Sequence, residues 1–167
     1  MFTSVLLRQC TFICLLAAMP VAAESAPAGK TCLDTVGTDE IVRQVNALRA
    51  SNGLGKVSVS PALTTAAEVH SRSMRERSEM THAGPDGTRV SDRVKKQGYR
   101  YRVVAENVAA GQESVDAVMT AWKNSPSHLE NILRPRIVEI GVACFSENVT
   151  DYGTWWTMVL AAPLEER

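Results

Sequence analysis

The chain has no excess of either charge, since 18 Lys and Arg residues stand against 18 Asp and Glu over its 167 positions. Without a basic surplus nothing steers a polyanion to it, so charge gives no case for nucleic acid or an anionic membrane surface as partner. Beyond the N-terminal stretch no apolar run is long enough to cross a bilayer, and no low-complexity tract or solenoid-period repeat divides the chain. Cysteine is scarce, with four in all, and histidine scarcer, with three: His70, His82 and His128. Any imidazole chemistry must draw on those.

What the chain does have begins with an N-terminal export signal. Arg8 precedes the apolar run Cys10 to Met19, and small residues at Val21 and Ala23 fit cleavage after Ala23. Glu24, not a cysteine, follows that point, so the expected product is released, not lipid-anchored, and is secreted or periplasmic. The expected layout is a signal peptide over 1–23, an N-terminal arm over 24–37 and one domain over 38–163. The mature chain of 144 residues suits a single hydrophobic core, and it is expected to be monomeric.

Cys10 and Cys14 leave with the signal, and Cys32 and Cys144 remain as an even pair bound for an oxidising compartment. A Cys32–Cys144 disulfide is the expected state, with two free thiols or an intermolecular bridge as the alternatives. A loop this long corresponds to roughly 4 to 5 kcal/mol of stabilisation in the chain-entropy model.

Thr38 before Asp39 and Glu40 reads as a helix start, and Ile41, Val45 and Leu48 repeat at helical spacing up to Asn52-Gly53. Leu54 to Val59 reads as a short connection. Ser60-Pro61 then opens a second helix to about Glu79, with Leu63, Ala66, Ala67, His70 and Met74 on its inner face. That position makes His70 a hydrogen-bonded core histidine. Ala83 to Gly87 is turn chemistry, followed by a short polar helix from Thr88 to Gln97 that Gly98 stops. A strand is expected over Val103 to Ala109, helices over Ser114 to Lys123 and Ser125 to Leu133, and a hairpin of Ile137 to Phe145 with Gly153 to Ala161 around a polar turn at Ser146 to Tyr152. The order predicts an α+β sandwich. Trp122, Trp155 and Trp156 read as core payload.

Three segments carry candidate chemistry: Thr81-His82-Ala83-Gly84-Pro85-Asp86-Gly87, Ala105-Glu106-Asn107-Val108-Ala109 and Trp122-Lys123-Asn124-Ser125-Pro126-Ser127-His128. Together with Asn46 to Arg49, Asn52 to Leu54, Asp92-Arg93, Gly98-Tyr99, Glu139 to Val142 and Trp155-Trp156, their order resembles a bacterial member of the CAP superfamily. These are secreted domains related to cysteine-rich secretory proteins, venom antigen 5 and plant pathogenesis-related proteins. The match runs from about Glu40 to Ala161. The resemblance implies a three-layer α-β-α sandwich with a central antiparallel sheet and a cleft holding two histidines and two glutamates. His82 matches the first histidine and Glu106 the first glutamate, whereas Ser125 and Thr154 stand where the second glutamate and second histidine are expected.

His128 lies three residues after Ser125 at a helix start, so the two share a face and His128 is expected to reach the cleft in place of the displaced histidine. His82, Glu106 and His128 then form a candidate zinc site, or the acid/base set of a hydrolase such as a peptidase, with Ser125 a weaker candidate nucleophile. Each residue also has a structural reading: His82 bonding a turn carbonyl, Glu106 pairing with an arginine or loop amides, Ser125 capping a helix and Asn107 ordering the strand edge. The favoured expectation is a secreted module whose cleft binds a metal, a small or lipidic ligand, or an envelope component, without breaking a bond. A hydrolase and a non-catalytic envelope structural protein are the alternatives.

Overall fold

A computed structural model describes residues 30–33, 35–146 and 153–164. The signal segment, most of the arm before Lys30 and the turn after Ser146 lie outside the described residues. In chain order the elements are β1 (Lys30–Thr31), α1 (Thr35–Ser51), β2 (Ser58–Val59), α2 (Pro61–Arg77), α3 (Val90–Lys96), β3 (Tyr101–Ala110), α4 (Val115–Asn124), α5 (Pro126–Ile132), β4 (Glu139–Ser146) and β5 (Thr154–Pro163).

The sheet runs β1-β4-β5-β3, and these strands pair antiparallel. The expected central antiparallel sheet is present, with one parallel addition. The connection before Ser60 contains β2, which pairs parallel with β4 through Ser58↔Glu139 and Val59↔Ile140. Asn46 accounts for it: its side-chain amide donates to the Val57 carbonyl at 3.0 Å and accepts from the Val57 amide at 2.8 Å, holding the segment extended against β4.

Strand periodicity sorts the core into two layers. From β5, Trp156, Met158 and Leu160 face Ile41 and Val45 of α1, Val118, Met119 and Trp122 of α4 and Ile132 of α5. Val159 and Ala161 face Leu63, Ala66 and Ala67 of α2 and Val94 of α3, and Trp155 joins Met74 on that side. One helical layer thus covers each face, which makes the expected three-layer sandwich, and Trp122, Trp155 and Trp156 are all buried within it. Helix α2 lies close on β4 because position 141 is glycine: a Cβ there would fall within the Leu63 and Thr64 backbone. Among the described residues no helix is long and apolar enough to cross a membrane.

Helix ends depart from expectation by a few residues. Helix α1 starts at Thr35, so Thr38 lies inside it, and Asp39 and Glu40 fall beyond the first turn. Glu40 accepts instead from Arg43 Nε and Gln44 Nε2, each at 2.8 Å. Helix α2 ends at Arg77, two residues before Glu79, where Ser78 turns left-handed and the Glu79 amide closes back on the Met74 carbonyl at 3.1 Å. Ser60 and Ser125 take the N-cap positions before Pro61 and Pro126, but neither side chain makes a capping bond. Proline removes the first-turn N–H, and this suffices to start each helix.

Cys32 is bonded to Cys144, with Cα atoms 5.1 Å apart and a sequence separation of 112. The Cys32 amide also donates to the Cys144 carbonyl at 3.1 Å, so the arm joins β4 through backbone and side chain together. At the far end Arg49, fully buried, donates to the carbonyls of Gly55, Ile132, Arg134 and Ile137 at 2.7, 2.7, 3.1 and 2.8 Å. Among the described residues no carboxylate pairs with it. Its charge rests on oxygens that include the C-terminal carbonyl of α5, where the helix dipole is negative.

Candidate functional site

Strand β3 is the free edge of the sheet beyond β5, and its alternation decides where the site lies. Ala105 and Ala109 pack with the α1, α4 and α5 layer, whereas Val104 and Val108 pack with the α2 and α3 side. Glu106 therefore points toward α2 and α3, and its neighbour Asn107 points toward α5.

Glu106 is nearly fully buried, with 3 % of its side chain exposed, and both carboxylate oxygens are engaged. Oε1 accepts from His82 Nδ1 at 2.9 Å, and Oε2 accepts from Arg93 at 2.6 Å. Arg93, 4 % exposed, also donates to the carbonyls of Thr88 at 3.1 Å and His82 at 3.3 Å. One guanidinium thus ties α3, the turn and β3 together. Burial pushes the Glu106 carboxyl up, but the His82 bond and the Arg93 charge outweigh it and hold the group below the usual carboxylate range.

His70 stands behind this pair. It is fully buried on α2, its Nε2 donates to the Thr81 carbonyl at 2.7 Å, and that nitrogen lies 3.8 Å from Glu106 Oε1. A carbonyl can only accept, so Nε2 carries the proton, and in the neutral ring Nδ1 is a buried acceptor without a partner. Burial lowers the His70 pKa against the pull of Glu106, which favours that neutral form. The core reading of His70 holds, but it missed the proximity to Glu106. The signal was present: a carboxylate on the inward face of β3 must meet whatever polar groups α2 and α3 offer.

His82 sits at the mouth, on the turn that Gly84 and Gly87 shape. The Gly84 amide donates to the Thr88 carbonyl at 2.8 Å, Gly87 takes φ +76°, and a Cβ on Gly84 would collide with the Thr88 hydroxyl. The His82 side chain is 62 % exposed. A carboxylate only accepts, so Nδ1 carries the proton and Nε2 is the nitrogen left to act. Beside it lies a hollow of about 400 Å³ lined by His82, Ala83, Gly87, Arg89, Val90 and Glu106. A larger hollow of about 580 Å³ opens across the turn, lined by His70 and Arg93 among others, but His82 and Glu106 do not line it.

His128 makes no hydrogen bond or ion pair with His82 or Glu106 among the described residues. It is half-buried on α5, and its contribution to the neighbouring structure is its carbonyl, which accepts from Asn107 Nδ2 at 3.0 Å. Asn131, three residues on, donates to the Glu106 carbonyl at 3.2 Å and to Asn107 Oδ1 at 2.9 Å, closing α5 over the free strand edge. Asn107 thus orders that edge, as its structural reading had it. Burial, with a smaller effect from nearby His82, lowers the His128 pKa. Ser125 Oγ pairs with Ser127 Oγ at 3.3 Å, so the predicted Ser125–His128 partnership is not formed.

The zinc expectation needs His82, Glu106 and His128 to meet around one ion. Among the described residues no three His, Cys, Asp or Glu side chains are placed to hold one ion. The reason is local: Arg93 and His82 occupy both Glu106 oxygens, and the His128 ring, though near enough to His82 for that charge to lower its pKa, bonds to neither. As placed, these residues leave no Glu106 oxygen open to an ion. What they can do is present an oriented, solvent-facing imidazole beside a hollow.

A three-layer sandwich with a histidine and a buried glutamate meeting at its edge strand defines the class. The chain belongs to the CAP family, whose profile, described as the cysteine-rich secretory protein family, matches residues 42–160. It is 30 % identical over 140 residues to the uncharacterized protein YkwD of Bacillus subtilis (strain 168), an alignment covering 83 % of this chain and 52 % of YkwD. The chain therefore spans about half the length of that curated relative. Among solved structures it is similar to an outer surface protein from Borrelia burgdorferi, with TM-score 0.73, 21 % identity and coverage of 82 % of this chain and all of that one. It is also similar to an extracellular protein containing a SCP domain from Bacillus anthracis str. Ames, with TM-score 0.65, 22 % identity and coverage of 74 % of this chain and 39 % of that one. At those identities the two structures establish the shared fold.

Proposed function

We propose that the chain is a secreted CAP domain that binds a small ligand in the hollow beside His82 and breaks no bond. The observation that carries this reading is the exposed imidazole whose Nδ1 is fixed by a buried carboxylate, leaving Nε2 aimed by the fold and free for a ligand. The expected signal peptide, the Cys32–Cys144 bond and the extracellular and outer-surface proteins among the similar structures support secretion. The ligand is a small molecule, a lipid or a soluble piece of the envelope.

A hydrolase is the second reading, because an imidazole anchored by a carboxylate is also what a general base requires. Binding is preferred on two counts. Ser125 has no base beside it, and Glu106 is committed to Arg93.

Backbone NMR of the mature protein, titrated with palmitate and with soluble peptidoglycan fragments, tests the reading. The expected result is a ligand that shifts the Ala83, Gly87 and Val90 amides and loses affinity in His82→Ala. Ligand binding that leaves those amides unmoved and survives His82→Ala would contradict it.

A further inference from the structure

We infer that the hollow beside His82 recognises a carboxylate anion through the Arg89 guanidinium, with His82 as a neighbouring wall, and not a divalent cation. This rests on the cleft-binding reading above and names its ligand class.

The inference comes from the charges that face the hollow. Its six lining residues include three with ionisable side chains, His82, Arg89 and Glu106. Glu106 carries the negative charge, but it is 3 % exposed and paired with the full positive charge of Arg93 at 2.6 Å. To a ligand outside, the glutamate and arginine present little net field. Arg89 is exposed, and no ion pair among the described residues engages it. Its place is fixed from behind, since its backbone amide donates to Asp92 Oδ2 at 2.9 Å at the start of α3. The remaining field at the mouth is therefore positive.

Chemical complementarity points the same way. A guanidinium offers two parallel N–H donors that match a carboxylate edge. A cation entering here would meet a free guanidinium and would find both Glu106 oxygens already taken. Ala83, Gly87 and Val90 make the rest of the wall small and apolar, which suits the short apolar group next to a carboxylate. The carboxylate of a peptide C-terminus and that of an acyl chain share this chemistry, and only the tail distinguishes them.

The test uses the mature protein and reads the His82 ring and the Arg89 Nε–H by NMR while four probes are titrated separately: N-acetylalanine, octanoate, the neutral N-acetylalaninamide and zinc chloride. The expected result is saturable shifts with one or both carboxylates and at least tenfold weaker binding of the amide. In Arg89→Gln, a substitution at an exposed position, carboxylate affinity falls at least tenfold. Preference for N-acetylalanine assigns a peptide terminus, and preference for octanoate an acyl chain. An amide that binds as well as the acid, unchanged affinity in Arg89→Gln, or tight zinc binding at His82 would each overturn the anion proposal while leaving His82 as a ligand contact. If no probe moves the His82 ring, the anion proposal fails as well. If the palmitate and peptidoglycan titrations are then also silent at His82, the cleft-binding reading falls with it.

Discussion

On the α5 side of β3 the polar groups are neutral amides, with Asn107 and Asn131 bonded to each other and to backbone carbonyls, whereas on the α2 and α3 side the same strand buries a carboxylate against a guanidinium. Glu106 and Asn107 are adjacent in sequence, yet the strand period sends them to opposite faces with unlike tasks. The amide side fixes where a helix lies. The charged side fixes how one imidazole faces solvent. The lesson is that a Glu-Asn pair on an edge strand can divide the labour, with one residue for architecture and one for the site.

The contrast breaks most visibly at Arg93. Arg93→Met leaves Glu106 buried without its cation, and loss of one partner of a buried pair typically costs about 3–5 kcal/mol. Urea unfolding should show a loss of this size, and Arg93→Met combined with Glu106→Leu should recover most of it. Equal loss in single and double variants would mean that the guanidinium acts by packing alone.

On the opposite face, Asn107→Ala leaves the His128 carbonyl without its donor and Asn131 without its acceptor, for a cost of about 1–3 kcal/mol. The α5 amides should exchange faster with solvent while the His82 ring resonances stay in place. A shifted His82 ring would show that the two faces are coupled.

Acid should separate the sides further. The His70 and His128 pKa values are depressed in the fold, so their contribution is complete above the ordinary value of 6.5 and is lost as pH falls below it. Glu106 is also depressed, so its contribution is complete above 4.5 and lost at lower pH. The melting temperature should fall in two stages from pH 8 to pH 3, and His70→Gln should flatten the upper one. A single fall confined below pH 4.5 would count against the buried neutral histidine.

The smallest effect on stability is expected at His82. His82→Ala removes an exposed ring together with the donor to Glu106 Oε1, whose place water can take, and should cost about 1 kcal/mol or less while abolishing binding in the hollow. A larger loss would make the His82–Glu106 bond a structural one.

Much of this contrast is legible in the chain, and the gaps have physical causes. Periodicity places α2, α4 and the β4–β5 hairpin within a few residues, because each buries an apolar face against the sheet. It does not disclose β2, a two-residue parallel bridge that depends on the Asn46 side chain. Sequence identifies His82 and Glu106 as site residues and allows an arginine partner for Glu106. It cannot select Arg93, whose reach to β3 is a tertiary fact. The place of His128 is open for a related reason: helical spacing puts it on one face with Ser125, but the docking of α5 through Asn131 and Asn107 decides where that face lies.

The most direct measurement is the nitrogen NMR spectrum of the three imidazoles near neutral pH in the wild type and in Glu106→Gln. If Glu106 aims His82, the wild-type His82 ring carries its proton on Nδ1, and the substitution changes that ring's tautomer balance while His128 is unmoved. A His82 ring that is the same in both proteins would contradict the account, because Glu106 would then serve only the buried charge behind it.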